Sequence, residues 1–246
     1  LGLCILAIAI IALIKREPDR PLKLPMLLLG LVIFQALLGM WTVTLNLLPV
    51  VVMGHLLGGF SVLTCLFLLY LRLSAFRIGY VNERVKRYAG FAALGVVVLV
   101  TQIALGGWTS ANYAALACTQ FPVCEGDWMT NIDLNGAYSV PEADNYEFGA
   151  HSYPERMTMH IVHRFGAIVT LLYLSWLAFT LYRRSGSRVI RQAVTVMSLV
   201  LALQVGLGVS NVVFSLPLSV AVLHNAIAAC LLMVLVMITY TLYRKV

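Results

Sequence analysis

Three histidines interrupt long apolar stretches of this 246-residue chain, each about two helical turns from one end of its stretch: His55, His163 and His224. An ionisable side chain is costly within a membrane-spanning segment, so its presence there predicts a buried functional site. Four positions after each histidine, on the same helical face, the residue is small. These residues are Gly59, Ala167 and Ala228. The pattern leaves room beside each imidazole for a flat group.

Haem is the flat group that fits this pattern. A neutral imidazole is a good axial ligand for haem iron, and two of them on facing helices give a six-coordinate centre suited to electron transfer. Zinc usually also takes cysteine or carboxylate ligands, whereas the apolar stretches contain no acidic residue. The alternative is that the three histidines only bond to neighbouring helices.

The segment MTMHIVHRFGAIV, residues 157–169, carries two further polar side chains around His163. We favour His163 as the ligand because its depth matches that of the other two histidines. His160 lies one turn further out, and its role as ligand, acid/base group or propionate partner stays open. Arg164 and Arg156 are predicted to bind haem propionates, which guanidinium groups recognise bidentately. The alternative is that both extend to the lipid headgroups.

The elements that carry these residues are predicted to be membrane helices. The chain is 61% hydrophobic and 11% charged, with a mean hydropathy of +0.92. Because a helix needs about 20 apolar residues to cross the bilayer core, we predict spans near 24–46, 48–73, 89–109, 157–182, 192–214 and 218–243. Residues 1–14 resemble the inner part of one more span, which indicates an N-terminal truncation. The predicted fold is an all-α integral membrane protein.

The distribution of charge predicts the orientation in the membrane. Fifteen of the seventeen lysines and arginines fall in four patches, at 15–23, 72–87, 183–191 and 244–245. Positive loops stay cytoplasmic, so the C-terminus is predicted to be cytoplasmic. Residues 110–156 hold seven of the ten acidic residues and are predicted to be extracytoplasmic. The net charge of +7 therefore reflects topology and requires no nucleic-acid partner.

The extracytoplasmic segment contains Cys118 and Cys124. Disulfides persist outside the cytoplasm, so a local bridge is predicted, with two free thiols as the alternative. Cys4, Cys65 and Cys230 lie in apolar stretches and are interpreted as small apolar residues.

A repeat relates the two halves of the chain. QALLG, QIALG and QVGLG begin at Gln35, Gln102 and Gln204. Gln35 and Gln204 are 169 residues apart, as are His55 and His224. This register predicts two four-helix bundles that run in the same direction, with eight spans in a full protein and six complete plus one partial here. The glutamines are expected to bond between helices, and contact with haem is the alternative.

Three blocks of sequence resemble the haem A synthase family of the Cox15/CtaA type. They are LGGWTSANYAALACTQFPVCEGDW at 105–128, HIVHRFGAIV at 160–169 and QVGLGVSNVVFSLPLSVAVLHNAIAA at 204–229. The resemblance covers nearly the whole chain. It implies an eight-span oxidoreductase that converts the C8 methyl of haem O to the formyl of haem A for terminal oxidases. It also implies an incomplete substrate half at 1–73, a cytoplasmic linker at 74–88 and a cofactor half at 89–246.

The resemblance also assigns the ligands. A haem b cofactor is expected between His163 and His224, and substrate haem O at His55 with a histidine upstream of Leu1. The family's catalytic glutamate is likewise expected upstream, so the catalytic residues are unknown in this chain. Cys118 and Cys124 resemble the family's extracytoplasmic disulfide. The implied partners are haem O delivered by a haem O synthase, an unidentified electron acceptor and the lipid bilayer of a bacterial type of cytoplasmic membrane, while homo-oligomerisation stays open.

Two other functions use the same features. A diheme b-type electron carrier needs the same ligands but does not modify haem. A transporter or assembly factor would have polar residues through the membrane midplane, whereas here they cluster at the outer third. The sequence lacks a G-x-G-x-x-G motif after a strand, which argues against a built-in nicotinamide or flavin site.

Overall fold

The computed structural model describes residues 1–16, 21–74 and 83–244, which form helices joined by turns and one long loop. The helices are α1 (Gly2–Ile14), α2 (Lys23–Thr44), α3 (Pro49–Leu73), α4 (Glu83–Lys86), α5 (Ala89–Ala111), α6 (Leu134–Ala137), α7 (Tyr153–Arg184), α8 (Arg188–Val213) and α9 (Leu218–Tyr243). Six of them are long and apolar enough to cross a membrane: α2, α3, α5, α7, α8 and α9. The chain is therefore an all-α, multi-pass integral membrane protein, as predicted. Most of the predicted linker and parts of three basic patches lie outside the described residues.

Helix α7 begins at Tyr153, whereas the predicted span begins at 157. The carboxylate of Glu155 accepts a hydrogen bond from the backbone N–H of Ser152 at 2.7 Å, and Pro154 lies in the first turn. Both features stabilise a helix N-terminus. An apolar pattern alone does not detect this polar first turn, so the prediction placed the start too late.

Four helices, α5, α7, α8 and α9, form a closed bundle. Helices α5 and α8 each pack against both α7 and α9, which places α7 and α9 diagonally across the bundle. The core contains fully buried apolar side chains from all four helices, among them Leu99, Leu174, Met197, Leu231 and Leu235. Helices α1, α2 and α3 form a second group around Ile5, Leu28 and Val62, and α3 packs against α5 and α9.

The turns between α2 and α3 and between α8 and α9 have the same backbone conformation. Asn46 and Leu47 have φ values of 46° and 64°, and Ser215 and Leu216 have values of 55° and 61°. Left-handed backbone is unfavourable for residues other than glycine. In each turn, the second of these residues donates its N–H to a carbonyl five residues earlier, at 2.9 Å in the first turn and 2.7 Å in the second. The sequence repeat therefore has a counterpart in the backbone.

The segment 112–152 folds over the ends of the helices, and we call that end of the molecule the loop face. The side chain of Trp108 donates a hydrogen bond to the carbonyl of Ala137 at 2.8 Å. Asn46, in the α2–α3 turn, donates its side-chain amide to the carbonyl of Asp144 and accepts from the N–H of Tyr146, at 2.9 and 3.0 Å. The segment is thus an ordered cap attached to both helix groups.

Candidate functional site

His163 and His224 come from the diagonally placed helices α7 and α9 of the four-helix bundle. Both side chains are half-buried, and they are close enough that a charge on one ring would be felt at the other. Since the two helices are diagonal, the imidazoles can approach a common group between them from opposite sides. This is the arrangement that an axial ligand pair needs.

Each of these imidazoles packs on a glycine of a neighbouring helix. A Cβ atom built on Gly106 of α5 would lie 2.8 Å from Cε1 of His163, and one built on Gly208 of α8 would lie 3.1 Å from Cε1 of His224. A real Cβ atom is not tolerated at the first distance and is crowded at the second. Glycine therefore lets both rings lie against the backbone of the next helix.

A glutamine one turn before each glycine reaches the same imidazole. Nε2 of Gln102 lies 3.0 Å from Nδ1 of His163, and Nε2 of Gln204 lies 3.3 Å from Nε2 of His224. Nδ1 of His224 is buried and has no hydrogen-bond partner among the described residues. Each ring is thus held at one nitrogen by an amide of the adjacent helix.

The donor set fits a haem better than a metal ion held by side chains alone. Within residues 1–16, 21–74 and 83–244, no three side chains of the His, Cys, Asp or Glu type come together as a metal site. Two imidazoles from diagonal helices match the axial positions of a haem iron. The glycines beside them keep bulk away from the rings.

His55 lies on α3, in the other helix group. Its side chain is exposed, and Cε1 is 3.2 Å from a Cβ built on Gly39 of α2. The structure therefore gives His55 the same glycine contact as His224 but does not bring it into the His163–His224 pair.

His160 is buried, with 6% of its surface exposed, one turn nearer the loop face than His163. Its Nδ1 atom has no hydrogen-bond partner in the described part of the chain. The ring is within electrostatic reach of Arg164 and Glu125. None of the three roles considered for His160 is selected by these contacts.

Arg164 is engaged by the cap. Its guanidinium donates hydrogen bonds to the carbonyls of Cys118, Gln120 and Pro122, at 2.8, 2.8 and 3.0 Å. Its Nε atom is buried without a partner among the described residues. The propionate role predicted for Arg164 therefore stays a prediction, and the structure adds a contact between the helix of His163 and the cap.

Cys118 and Cys124 form a disulfide, with Cα atoms 4.9 Å apart. Both are buried and pack against Met157 and Ile161 of α7. The carboxylate of the adjacent Glu125 accepts hydrogen bonds from the hydroxyl and the N–H of Thr119. These bonds, the one from the side chain of Thr119 above all, hold the pKa of the Glu125 carboxyl below its usual range.

Sequence reasoning missed three contacts of this region. The glycines under the imidazoles were visible as the last letter of each repeat, four positions after the glutamine, but received no role. The hydrogen bonds of Arg164 join residues more than 40 positions apart, and no local pattern signals them. The buried His151, to which no role was given, bonds through Nδ1 to Glu155 at 3.0 Å.

Comparison with known proteins gives a consistent result. A sequence model described as COX15-CtaA, cytochrome oxidase assembly protein, matches residues 1–236. A heme A synthase of Shewanella oneidensis is 48% identical over 246 residues, covering 99% of this chain and 74% of the relative. Proteins of the same name from Halalkalibacterium halodurans and Shouchella clausii are 27% and 24% identical, covering 100% and 82% of this chain and 76% and 62% of the relatives.

Proposed function

Because this chain belongs to the COX15-CtaA family of cytochrome oxidase assembly proteins, we propose that it is a haem A synthase, an oxidoreductase that converts the C8 methyl of haem O to a formyl group. The observation that carries the proposal is the placement of His163 and His224 on diagonal helices of one bundle, each ring against a glycine. Similarity to named haem A synthases supports the substrate, and the ligand geometry supports a haem in this half.

The four-helix bundle, residues 89–246, would hold a haem b cofactor. His163 and His224 would supply the axial nitrogens, and Gly106 and Gly208 would keep the faces of the bundle open beside them. When bound, haem b supplies one-electron transfer between the substrate half and an external acceptor. Arg164 would hold the cap over this end of the bundle, which limits access of water, and its Nε–H would remain available for a propionate.

The first helix group, residues 1–73, would receive haem O. His55 would bind the substrate and position its methyl, together with a histidine and a glutamate that the family resemblance places upstream of Leu1. Conversion of a methyl to a formyl group proceeds through an alcohol and a hydrated aldehyde in two successive oxidations. With electrons leaving to an acceptor, each oxidation adds the oxygen of one water and releases two electrons and two protons, and the hydrated aldehyde then loses one water. These electrons pass to an acceptor outside the chain.

The proposed setting is the cytoplasmic membrane of a bacterium, since the named relatives are bacterial. The excess of Lys and Arg at the end opposite the loop face supports a cytoplasmic C-terminus and a cytoplasmic linker at 74–88. The cap would then lie on the extracytoplasmic side, where disulfides persist. Haem O would come from a haem O synthase in the same membrane.

The test is the haem content of the purified chain. In detergent, reduced-minus-oxidised spectra and chromatography of the extracted pigment should show one low-spin b-type haem per chain. His163→Ala and His224→Ala should lose this haem, while His55→Ala should retain it. His151→Ala is the matched control, because it removes a buried histidine of the cap. Full haem in both bundle variants would contradict the ligand assignment.

The diheme electron carrier remains the second candidate because it uses the same ligand pair. Extraction of haem from cells with and without the protein, extended by the expected upstream residues, separates the two functions. A haem A synthase yields haem A only when the protein is present. An electron carrier leaves haem unmodified in both cultures.

A further inference from the structure

Gln102 makes two contacts with one residue of the neighbouring helix. Its Nε2 atom lies 3.0 Å from Nδ1 of His163 and also donates to the backbone carbonyl of His163 at 3.0 Å. The side chain thus bridges the ring and the main chain of the same residue. A bridge of this kind restricts both the position and the rotation of the imidazole.

The space for this bridge exists only because two glycines flank it. A Cβ atom on Gly166 of α7 would collide with Oε1 of Gln102, and one on Gly106 of α5 would lie 2.8 Å from Cε1 of His163. The half-buried carboxamide and the ring therefore occupy volume that any other residue at these positions would take.

The carboxamide can supply the hydrogen bond that iron ligation requires. An imidazole that binds iron through Nε2 carries its proton on Nδ1, and such ligands almost always donate that N–H to an acceptor. Oε1 of Gln102 is buried and has no partner in the described part of the chain. Rotation of the amide about its terminal bond exchanges its donor and acceptor ends. Oε1 then faces Nδ1 and accepts a hydrogen bond from its N–H. In this form the amide gives up its hydrogen bond to the carbonyl of His163, and the side chain moves away from that oxygen.

We propose that Gln102 is a positioning residue for His163: its carboxamide accepts the Nδ1–H of the ring, fixes the tautomer with the lone pair on Nε2, and sets the orientation of the imidazole toward the iron. This rests on the proposed function, since it requires a haem at His163. A hydrogen bond at Nδ1 increases the electron density of the ligand and so tunes the reduction potential of the haem.

The other repeated glutamines do not have this geometry. Gln204 reaches Nε2 of His224, the nitrogen that would bind iron, at 3.3 Å. Gln35 is buried with its Nε2 unpaired among the described residues and lies against Gly58. Gln102 alone of the three bonds to the nitrogen that ligation leaves free, so its effect on the haem should differ from theirs.

The experiment compares Gln102→Leu, Gln102→Glu and Gln35→Leu in the full chain purified with its haem. Redox titration gives the midpoint potential, and low-temperature electron paramagnetic resonance reports the orientation and basicity of the axial ligands. Gln102→Leu should raise the potential and change the resonance positions. Gln102→Glu keeps an acceptor and should return both toward, or beyond, the unmodified values. Gln35→Leu, also a buried glutamine of the repeat, should leave both unchanged.

Each outcome decides the role of Gln102. Loss of haem in Gln102→Leu but not in Gln102→Glu also supports the proposal, because glutamate keeps a hydrogen-bond acceptor at this position and leucine does not. Loss in both variants, or a Gln102→Leu potential and spectrum equal to those of the unmodified chain, overturns it. If His163→Ala loses haem while Gln102→Leu is unchanged, only this role fails. If the unmodified chain binds no haem b, the proposed function fails first.

Discussion

The helix pairs α2–α3 and α8–α9 carry the same turn and the same imidazole contact. In one pair a Cβ on Gly39 would lie 3.2 Å from Cε1 of His55, and in the other a Cβ on Gly208 would lie 3.1 Å from Cε1 of His224. Agreement this close between residues 169 positions apart shows that the two pairs share a scaffold. The histidine and the glycine beneath it are part of that scaffold.

The pairs differ in where the glutamine goes. Gln35 lies against Gly58, three positions after His55, and its Nε2 has no hydrogen-bond partner among the described residues. The position three after His224 is Ile227, not glycine, and Gln204 lies at the ring. One scaffold thus gives two imidazole environments, and the two pairs differ at this position by glycine and isoleucine.

The largest expected effect comes from filling the space under the ring. Gly208→Leu places a branched side chain where His224 lies, and overpacking of this kind costs about 1–3 kcal/mol. Binding of the second-half haem should weaken roughly 5- to 150-fold, measured by haem per purified chain. Gly39→Leu should leave that haem in place. Gly206→Leu is the control on the same helix, since a Cβ there meets nothing within 4 Å. Equal loss in all three would contradict a specific contact.

A second difference between the halves is the clamp that Arg164 makes on the cap, and Arg164→Lys should weaken it. Lysine cannot reproduce the fork that reaches three carbonyls. Hydrogen bonds to charged groups contribute about 1.5–3 kcal/mol. The loop should open more often, so a phosphine reductant should cleave the Cys118–Cys124 disulfide roughly tenfold faster. Arg183→Lys, at an exposed arginine on the other end of α7, should leave the rate unchanged. An unchanged rate in Arg164→Lys would show that the clamp does not hold the loop.

A smaller effect is expected from substituting Ile227, the residue of the α8–α9 pair that corresponds to Gly58 of the α2–α3 pair. Ile227→Gly should give Gln204 the space that Gln35 has, so that its amide leaves His224. Gln204 occupies Nε2 of His224, the nitrogen that would bind iron. A hydrogen bond within the membrane contributes about 0.6 kcal/mol, so its removal should raise haem affinity up to roughly threefold. Electron paramagnetic resonance of the second-half haem should change in Ile227→Gly and change less in Ile227→Ala. Identical spectra in both variants and the unmodified chain would mean that bulk at 227 does not direct Gln204.

The smallest effect is a pH dependence of the cap, which only the second half carries. The pKa of Glu125 is lowered in the folded loop, chiefly by the hydroxyl of Thr119. The ionised Glu125 therefore stabilises the folded loop fully above the ordinary carboxyl pKa. This stabilisation is lost as the pH falls through the lower pKa of the folded state. Reduction of the disulfide by a phosphine should accelerate between about pH 6 and pH 3. Thr119→Val should flatten this profile, and an equally steep profile in that variant would exclude Glu125 as its cause.

Composition and periodicity were enough to predict the six spans, because crossing a bilayer requires about 20 apolar residues. They did not predict the start of α7, since Ser152 and Glu155 stabilise a polar first turn. They also did not predict the left-handed turns, because Asn46–Leu47 and Ser215–Leu216 contain no glycine that would signal positive φ.

The histidines of the site were predictable because an imidazole within an apolar span is rare. Their partners were not. Gln35, Gln102 and Gln204 occupy equivalent positions in the repeat, yet their amides meet different groups in the folded chain. Gln35 and Gln102 both lie against a glycine three positions after a histidine on another helix, yet of these two only Gln102 is hydrogen-bonded to an imidazole in the described part of the chain. The packing of the helices, which no local pattern records, makes this difference.

The attachment of the cap to the α2–α3 turn has a consequence for biosynthesis. The side chain of Asn46 bonds to a carbonyl 98 residues later in the chain. At a synthesis rate of about 5–20 residues per second, the ribosome needs roughly 5–20 s to supply that partner. During this interval only the hydrogen bonds within the turn are available to stabilise its left-handed backbone. The first helix group is exposed at this end until the cap residues have been synthesised.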